Sequence, residues 1–160
     1  YVLGDMNMLT FMKNWTEILT FDLHKKRESR VVNARQLKID YVESPTFSPD
    51  GSQIAFDAGR DDEFYDIWVV NSDGTDWANL TNGRFNNQSP YWAMENAIIF
   101  TSDRGGDWDV YSITPEGRDL RQLTNTSHID ESTPSFPQGA SLSVTTVGKL
   151  STRWGNIKSQ

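Results

Sequence analysis

The chain has no cysteine among its 160 residues, which excludes disulfides and thiolate metal sites. It has two histidines, His24 and His128, so a multi-histidine metal site is not available within one chain. No apolar run approaches the ~18 residues that a membrane-spanning helix needs. No stretch sustains a 3.6-residue apolar period, and no helix is expected. A Gly-x-Ser-x-Gly elbow, a phosphate loop and a His-Glu-x-x-His pair are all missing. Without a nucleophile–base or metal-ligand grouping, no intrinsic catalysis and no cofactor are expected. The lack of cysteine does not fix the compartment. No signal peptide is apparent, and the chain opens at Tyr1 rather than Met, which suggests processing or trimming.

Positive charge is scarce in the middle of the chain. The net charge of −7 divides unevenly: residues 1–42 carry seven Lys/Arg and five Asp/Glu, and residues 131–160 carry three and one. Residues 43–130 carry five and sixteen. Such an acidic centre argues against nucleic acid, whose binding depends on neutralising phosphates. The basic run Lys25-Lys26-Arg27-Glu28-Ser29-Arg30 reads as a solvated hairpin tip before it reads as a partner patch.

What the chain does have is a repeat of ~43–45 residues. Ser44-Pro45-Thr46-Phe47-Ser48-Pro49-Asp50-Gly51 is followed by Ile54-Ala55-Phe56, Asp66-Ile67-Trp68, Asp73-Gly74 and Asn79-Leu80-Thr81. The landmarks return in order as Ser89-Pro90-Tyr91-Trp92, Ile98-Ile99-Phe100, Asp109-Val110-Tyr111, Glu116-Gly117 and Gln122-Leu123-Thr124. Within a repeat, Ser48-Pro49-Asp50-Gly51 has the residues of a tight turn between strands 44–48 and 53–57. A loop from Ala58 to Tyr65 leads to a third strand at 66–70, and Asn71-Ser72-Asp73-Gly74 turns into a fourth near 77–81.

Four antiparallel strands per repeat make a β-propeller blade, and the fold class is all-β. Four blades are expected, at 1–42, 43–87, 88–130 and 131–160, the first opening inside a strand and the last incomplete. In the degenerate first copy Phe11 is set against Phe100, Glu17–Phe21 serves as the third strand, and Arg35-Gln36-Leu37 matches Arg121-Gln122-Leu123. Phe47 and Trp92 should occupy equivalent environments, and Phe56 and Phe100 should be buried.

The phrase Ser-Pro-x-(Phe/Trp)-Ser-Pro-Asp-Gly, with Ile-Ala-Phe, an Arg-containing loop, Ile-Trp-Val, Asp-Gly and Leu-Thr after it, resembles the WD40-like PD40 repeat of TolB propellers. The likeness is close over 43–130, recognisable to about 144 and weak over 1–42. Ala93-Met94-Glu95-Asn96 departs from it where Ser-Pro-Asp-Gly is expected, and no TolB amino-terminal α/β domain is recognisable. The resemblance implies a propeller of six to eight such units. It also implies a periplasmic or extracellular setting, since TolB belongs to the periplasmic Tol–Pal envelope system and contacts the lipoprotein Pal through its propeller. Similar repeats occur in prolyl-oligopeptidase-type peptidases, in tricorn-like proteases and in other exported proteins.

Three groups of residues merit a functional reading. Glu43, Gln88 and Glu131 hold the same position, directly before the innermost strand of each blade. There they would ring one mouth of a central channel and attract a cation or a basic peptide, or simply hydrate it. The loops Asp57–Glu63 and Asp103–Asp109 gather carboxylates with glycine. Hard oxygen ligands at a sharp turn suit Ca²⁺, although the spacing is not that of an EF-hand and a solvated hairpin with Arg60 or Arg104 paired to an aspartate is the plainer reading. Asn14, Asn79, Asn87 and Asn125 each open an Asn-x-Ser/Thr site; Leu-Thr-Asn is part of the repeat, so these read as incidental.

The function that follows is a non-catalytic scaffold that binds a protein or peptide, with no nucleic acid and no membrane insertion. The alternative is the propeller part of a prolyl-oligopeptidase-type peptidase that gates a hydrolase domain. A carbohydrate-active or lyase propeller would need a histidine cluster that is not visible. An open four-blade stack would expose apolar faces and strand edges. More polypeptide is therefore expected, or a homodimer closing a ring of about eight blades.

Overall fold

The computed structural model describes residues 7–61, 64–93 and 96–125. They form three consecutive antiparallel sheets. The first contains β1 (Met8–Lys13), β2 (Glu17–Asp22) and β3 (Arg27–Asn33). A single helical turn, α1 (Ala34–Leu37), leads to the second sheet: β4 (Tyr41–Phe47), β5 (Gln53–Gly59), β6 (Asp66–Asn71) and β7 (Ala78–Asn79). The third contains β8 (Asn87–Ala93), β9 (Ala97–Ser102), β10 (Asp109–Ile113) and β11 (Arg121–Gln122). In each sheet the strands lie side by side in chain order.

The sheets stack face to face because their central strands are apolar on both sides. In β5, Ile54, Phe56 and Ala58 join Val70 of β6 in a core with Ile18, Val31 and Val32 of the first sheet. The intervening Ala55, with Ile67 and Val69 of β6, packs against Trp92, Ile98, Phe100 and Tyr111 of the third. Alternate residues of one strand thus serve two interfaces, as the two-residue period of a strand dictates. Phe47 and Trp92 end equivalent strands, and each packs in the core its sheet shares with the preceding one. Phe56 and Phe100 are fully buried, stacked at 6.5 Å on Trp68 and 6.0 Å on Tyr111. The expected equivalence of these two aromatic pairs holds.

The turn at 48–51 is built as its sequence suggests. The Asp50 carboxylate accepts from the hydroxyls of Ser48 and Ser52 and from the Ser52 N–H, and Gly51 turns at φ 72°. These hydrogen bonds, Ser48 first, hold the Asp50 carboxyl below its usual range.

Three expectations need correction. The first-sheet strand opposite β2 is β3, and Arg35-Gln36-Leu37 lies in α1, where no helix was expected. The hairpin before β3 is short, with Asp22 accepting from the N–H groups of His24 and Lys25. The outer strand therefore begins at Arg27 and pairs along all of β2. Asn33 then caps a helical turn through the Arg35 N–H at 3.0 Å, and Lys38 ends it at φ 57°. Second, Ala58 and Gly59 continue β5 beyond the expected strand 53–57 instead of opening the loop after it. Third, β4 and β8 begin at Tyr41 and Asn87, so Glu43 and Gln88 lie inside their strands rather than before them. The incomplete copy 131–160 and the opening strand around Tyr1 lie outside the described residues.

Candidate functional site

Both inner strands are interrupted at the same place. The β4–β5 ladder slips between Glu43 and Thr46, and the β8–β9 ladder between Gln88 and Tyr91. At each slip a serine takes a left-handed conformation, Ser44 at φ 47° and Ser89 at φ 54°. The Ser-Pro pair of the repeat is thus a β-bulge, where the missing proline N–H costs no ladder bond. It sets the backbone next to Glu43 and Gln88. These two residues share one register, opposite Asp57 and Thr101 respectively.

Around Glu43 the bulge collects polar groups from two sheets. Asp57 is 1% exposed, and its Oδ1 has no hydrogen-bond partner. Burial raises its carboxyl to about 7; the Ser44 hydroxyl and the Ser89 N–H oppose the rise, and the charge of Glu43 adds to it. Tyr65 Oη donates to Glu43 Oε1 at 3.4 Å, and burial with the Glu43 and Asp57 charges raises the phenol to about 12. The third sheet enters through Ser89 and through Asn87, whose N–H donates to the Tyr65 carbonyl at 2.9 Å. Glu131, the remaining residue of the expected ring, lies outside the described residues.

In the Asp103–Asp109 loop the carboxylates are engaged by amides and a hydroxyl. Asp103 accepts from the N–H and side-chain amide of Asn86 at 2.9 and 2.8 Å, and Asp109 accepts from Gln122 and Thr124. Among the described residues no three acidic or histidine side chains gather as metal ligands. Arg104 donates to an amide and a hydroxyl, Asn87 Oδ1 at 2.6 Å and Ser102 Oγ at 3.0 Å, with its guanidinium over Phe85, Phe100 and Tyr111. Arg60 reaches the Lys38 carbonyl at 2.7 and 2.9 Å. Arg30 and Lys25 of the basic run pair with Glu17 and Asp22 at 2.9 and 3.2 Å on an exposed edge. The Asn79 side chain donates to Asp66 at 2.9 Å, and Asn87, fully buried and bonded to Arg104, is closed to glycosylation in the fold. A separate cleft of about 280 Å³ lies between the outer edges of the first two sheets, beside Val31, Gln36, Leu37 and Trp77.

A model of the TolB β-propeller domain, PD40, matches residues 5–157. The chain belongs to this family. Its sheets are therefore propeller blades, three of them within the described residues. Two TolB structures share the fold. The putative TolB from Agrobacterium tumefaciens is 20% identical with a TM-score of 0.62, covering 74% of this chain and 45% of its own. TolB from Acinetobacter baumannii is 21% identical with a TM-score of 0.62, covering 82% of this chain and 33% of its own. A puromycin hydrolase is similar over 68% of this chain and 18% of its own, at 18% identity and a TM-score of 0.57. The chain thus spans less than half the length of each. No curated protein matches it significantly.

Proposed function

We propose that this TolB-like propeller is a non-catalytic interaction module that receives a basic segment of a protein partner at the bulged end of its inner strands. The observation that carries this reading is the Glu43–Asp57 carboxyl pair beside the Ser44 bulge, with Gln88 in the same register one blade on. Carboxylates at the edge of a low-dielectric frame attract cations more strongly than those in open solvent. The acidic balance of residues 43–130 reinforces the attraction. Glu131 would extend the ring from a fourth blade, and closure would come from further polypeptide or from a second copy. Family membership favours a periplasmic or extracellular setting.

Site-specific photocrosslinking in the native host tests the reading. A crosslinker at position 43 should give one discrete protein adduct, and one at position 28 on the outer edge of the first blade should not. Adducts at 28 with none at 43 would refute it.

A second reading has its own support in the puromycin hydrolase likeness. Under it the propeller gates a hydrolase domain encoded on the same gene. Labelling of the full-length gene product by a serine-hydrolase probe would favour this reading.

A further inference from the structure

Two exposed aromatic side chains hold the same place in consecutive blades. The third strands β2, β6 and β10 begin at Glu17, Asp66 and Asp109. Two residues before these acids stand Trp15, Phe64 and Asp107. Trp15 is 54% exposed and Phe64 49% exposed.

The backbone does not ask for tryptophan at position 15. Asn14 and Trp15 form the two-residue turn between β1 and β2, closed by the Thr16 N–H on the Lys13 carbonyl at 3.2 Å. Both take positive φ, 52° and 60°. Hairpin turns of this hand favour glycine at the second place, because a side chain there crowds its own backbone. The turn is tied to the next blade by a bond that glycine would keep: the Val42 N–H donates to the Trp15 carbonyl at 2.8 Å. A bulky side chain thus holds a glycine position while about half of it faces solvent. That is the pattern of a residue retained for what it meets.

The same bond fixes where Trp15 stands. Val42 precedes Glu43, so the turn is set at the start of the strand that carries Glu43. Phe64 approaches that start from the second blade, where it rims a cleft of about 210 Å³ with Leu37, Ile39 and Trp68. Carboxylates surround the same place. Asp40 and Asp61 are exposed, and a hydrogen bond to Asp61, with the charge of Asp40, raises the Tyr41 phenol above its usual range. Arg60 is turned to the Lys38 carbonyl at 2.7 and 2.9 Å. Aromatic side chains are the usual anchors of protein interfaces. Carboxylates beside them repel an anionic lipid surface and suit a polypeptide that carries apolar and basic side chains together.

We propose that Trp15 and Phe64 form an apolar dock at the start of β4, and that its occupant is a protein segment with a large apolar side chain within a few residues of a basic one. The place of the basic residue rests on the function proposed above; the dock does not. Asp107, exposed at the equivalent position, puts a charge there in the third blade. The dock therefore belongs to the first two blades.

Three synthetic peptides of equal length test this against the full chain: one alternates lysine with leucine, one lysine with serine, and one glutamate with leucine. Calorimetry gives the affinities, and the indole N–H resonance of Trp15 reports the place. The lysine–leucine peptide should bind about tenfold tighter than the lysine–serine peptide or better, and should shift the Trp15 indole. Trp15→Gly and Phe64→Ser should each erase most of that preference. Trp15→Gly should also melt no lower than the wild type, because glycine suits the turn. Equal binding of the two lysine peptides, or a preference that survives Trp15→Gly, would overturn the dock and leave the basic-segment reading in place. Equal binding of the two leucine peptides, lost in Trp15→Gly, would remove the basic-segment reading and keep the dock. A Trp15→Gly chain that melts lower would make Trp15 a structural residue and overturn the dock, as would failure of all three peptides to bind.

Discussion

Thr81 donates its hydroxyl to Asp66 at 2.6 Å, and one repeat later Thr124 donates to Asp109 at 3.2 Å. In both blades the threonine also accepts a backbone N–H from the third strand, Ile67 at 3.0 Å and Val110 at 2.9 Å. Asn79 and Gln122 complete the two clasps through their side-chain amides at 2.9 Å. The recurring Asp and Leu-Thr of the sequence therefore fasten the short fourth strand, two residues long in each blade, to the third. In the degenerate first blade Glu17 takes the place of the aspartate and accepts from Arg30 and Asn33.

This clasp predicts a local coupling. Thr81→Val should destabilise the chain by about 1 kcal/mol, the usual net worth of such a hydrogen bond. A double-mutant cycle between Asp66→Ala and Thr81→Val should show a coupling of about 0.5 kcal/mol or more, and one between Asp66→Ala and Thr124→Val should be additive. Chemical denaturation measures both.

Phe56→Ala and Phe100→Ala should each cost about 3–5 kcal/mol, because each empties a fully buried site between two sheets. Trp77→Ala should cost far less. Trp77 is 52% exposed and meets Trp68 in a tilted contact at 5.9 Å. Melting temperatures of the three variants give the ranking.

Much of this frame was legible because packing and turn chemistry repeat with the sequence. The Ser-Pro-Asp-Gly turn, the buried aromatic pairs and the third strands could be read from residue type and spacing. The bulges at Ser44 and Ser89 could not, since a residue before proline reads as extended backbone and nothing local announces a left-handed serine. Arg35-Gln36-Leu37 misled because its likeness to Arg121-Gln122-Leu123 ignores a hairpin that is shorter in the first blade. Asp57 was hidden for a different reason. An aspartate at the end of an expected strand, with an acidic loop after it, reads as exposed, and only the packing of the third sheet on β5 reveals that it is buried. Glu43 and Gln88 were found by register, which the ladders reproduce even though both residues sit inside their strands.

Asp57→Asn should change how stability depends on pH. The carboxyl rises from about 3.8 to about 7 on folding, so its contribution is complete below the lower value and is lost as pH climbs through the upper one. Asparagine has no charge to bury. The variant should gain on the wild type as pH rises from 5 to 8, by an amount on the order of a few kcal/mol at most. Melts of both proteins across that range would show a constant difference if Asp57 were an ordinary carboxylate.

Arg104→Lys should destabilise the third blade by roughly 1–3 kcal/mol. Lysine cannot keep the bonds to Asn87 and Ser102 while lying flat over three aromatic rings. Hydrogen exchange should show the loss in the β8–β9 ladder first, and uniform loosening of all three sheets would argue against it.

The proposed function places a basic segment of the partner where Glu43 and Gln88 stand. The most direct test is the affinity of the partner captured by crosslinking, measured by calorimetry for the wild type, for Glu43→Lys with Gln88→Lys, and for Glu28→Lys on the outer edge. The expected result is at least a tenfold loss for the inner pair, about 1.4 kcal/mol, a loss that shrinks at high salt, and no change for Glu28→Lys. Equal affinities for the wild type and the inner pair would contradict it.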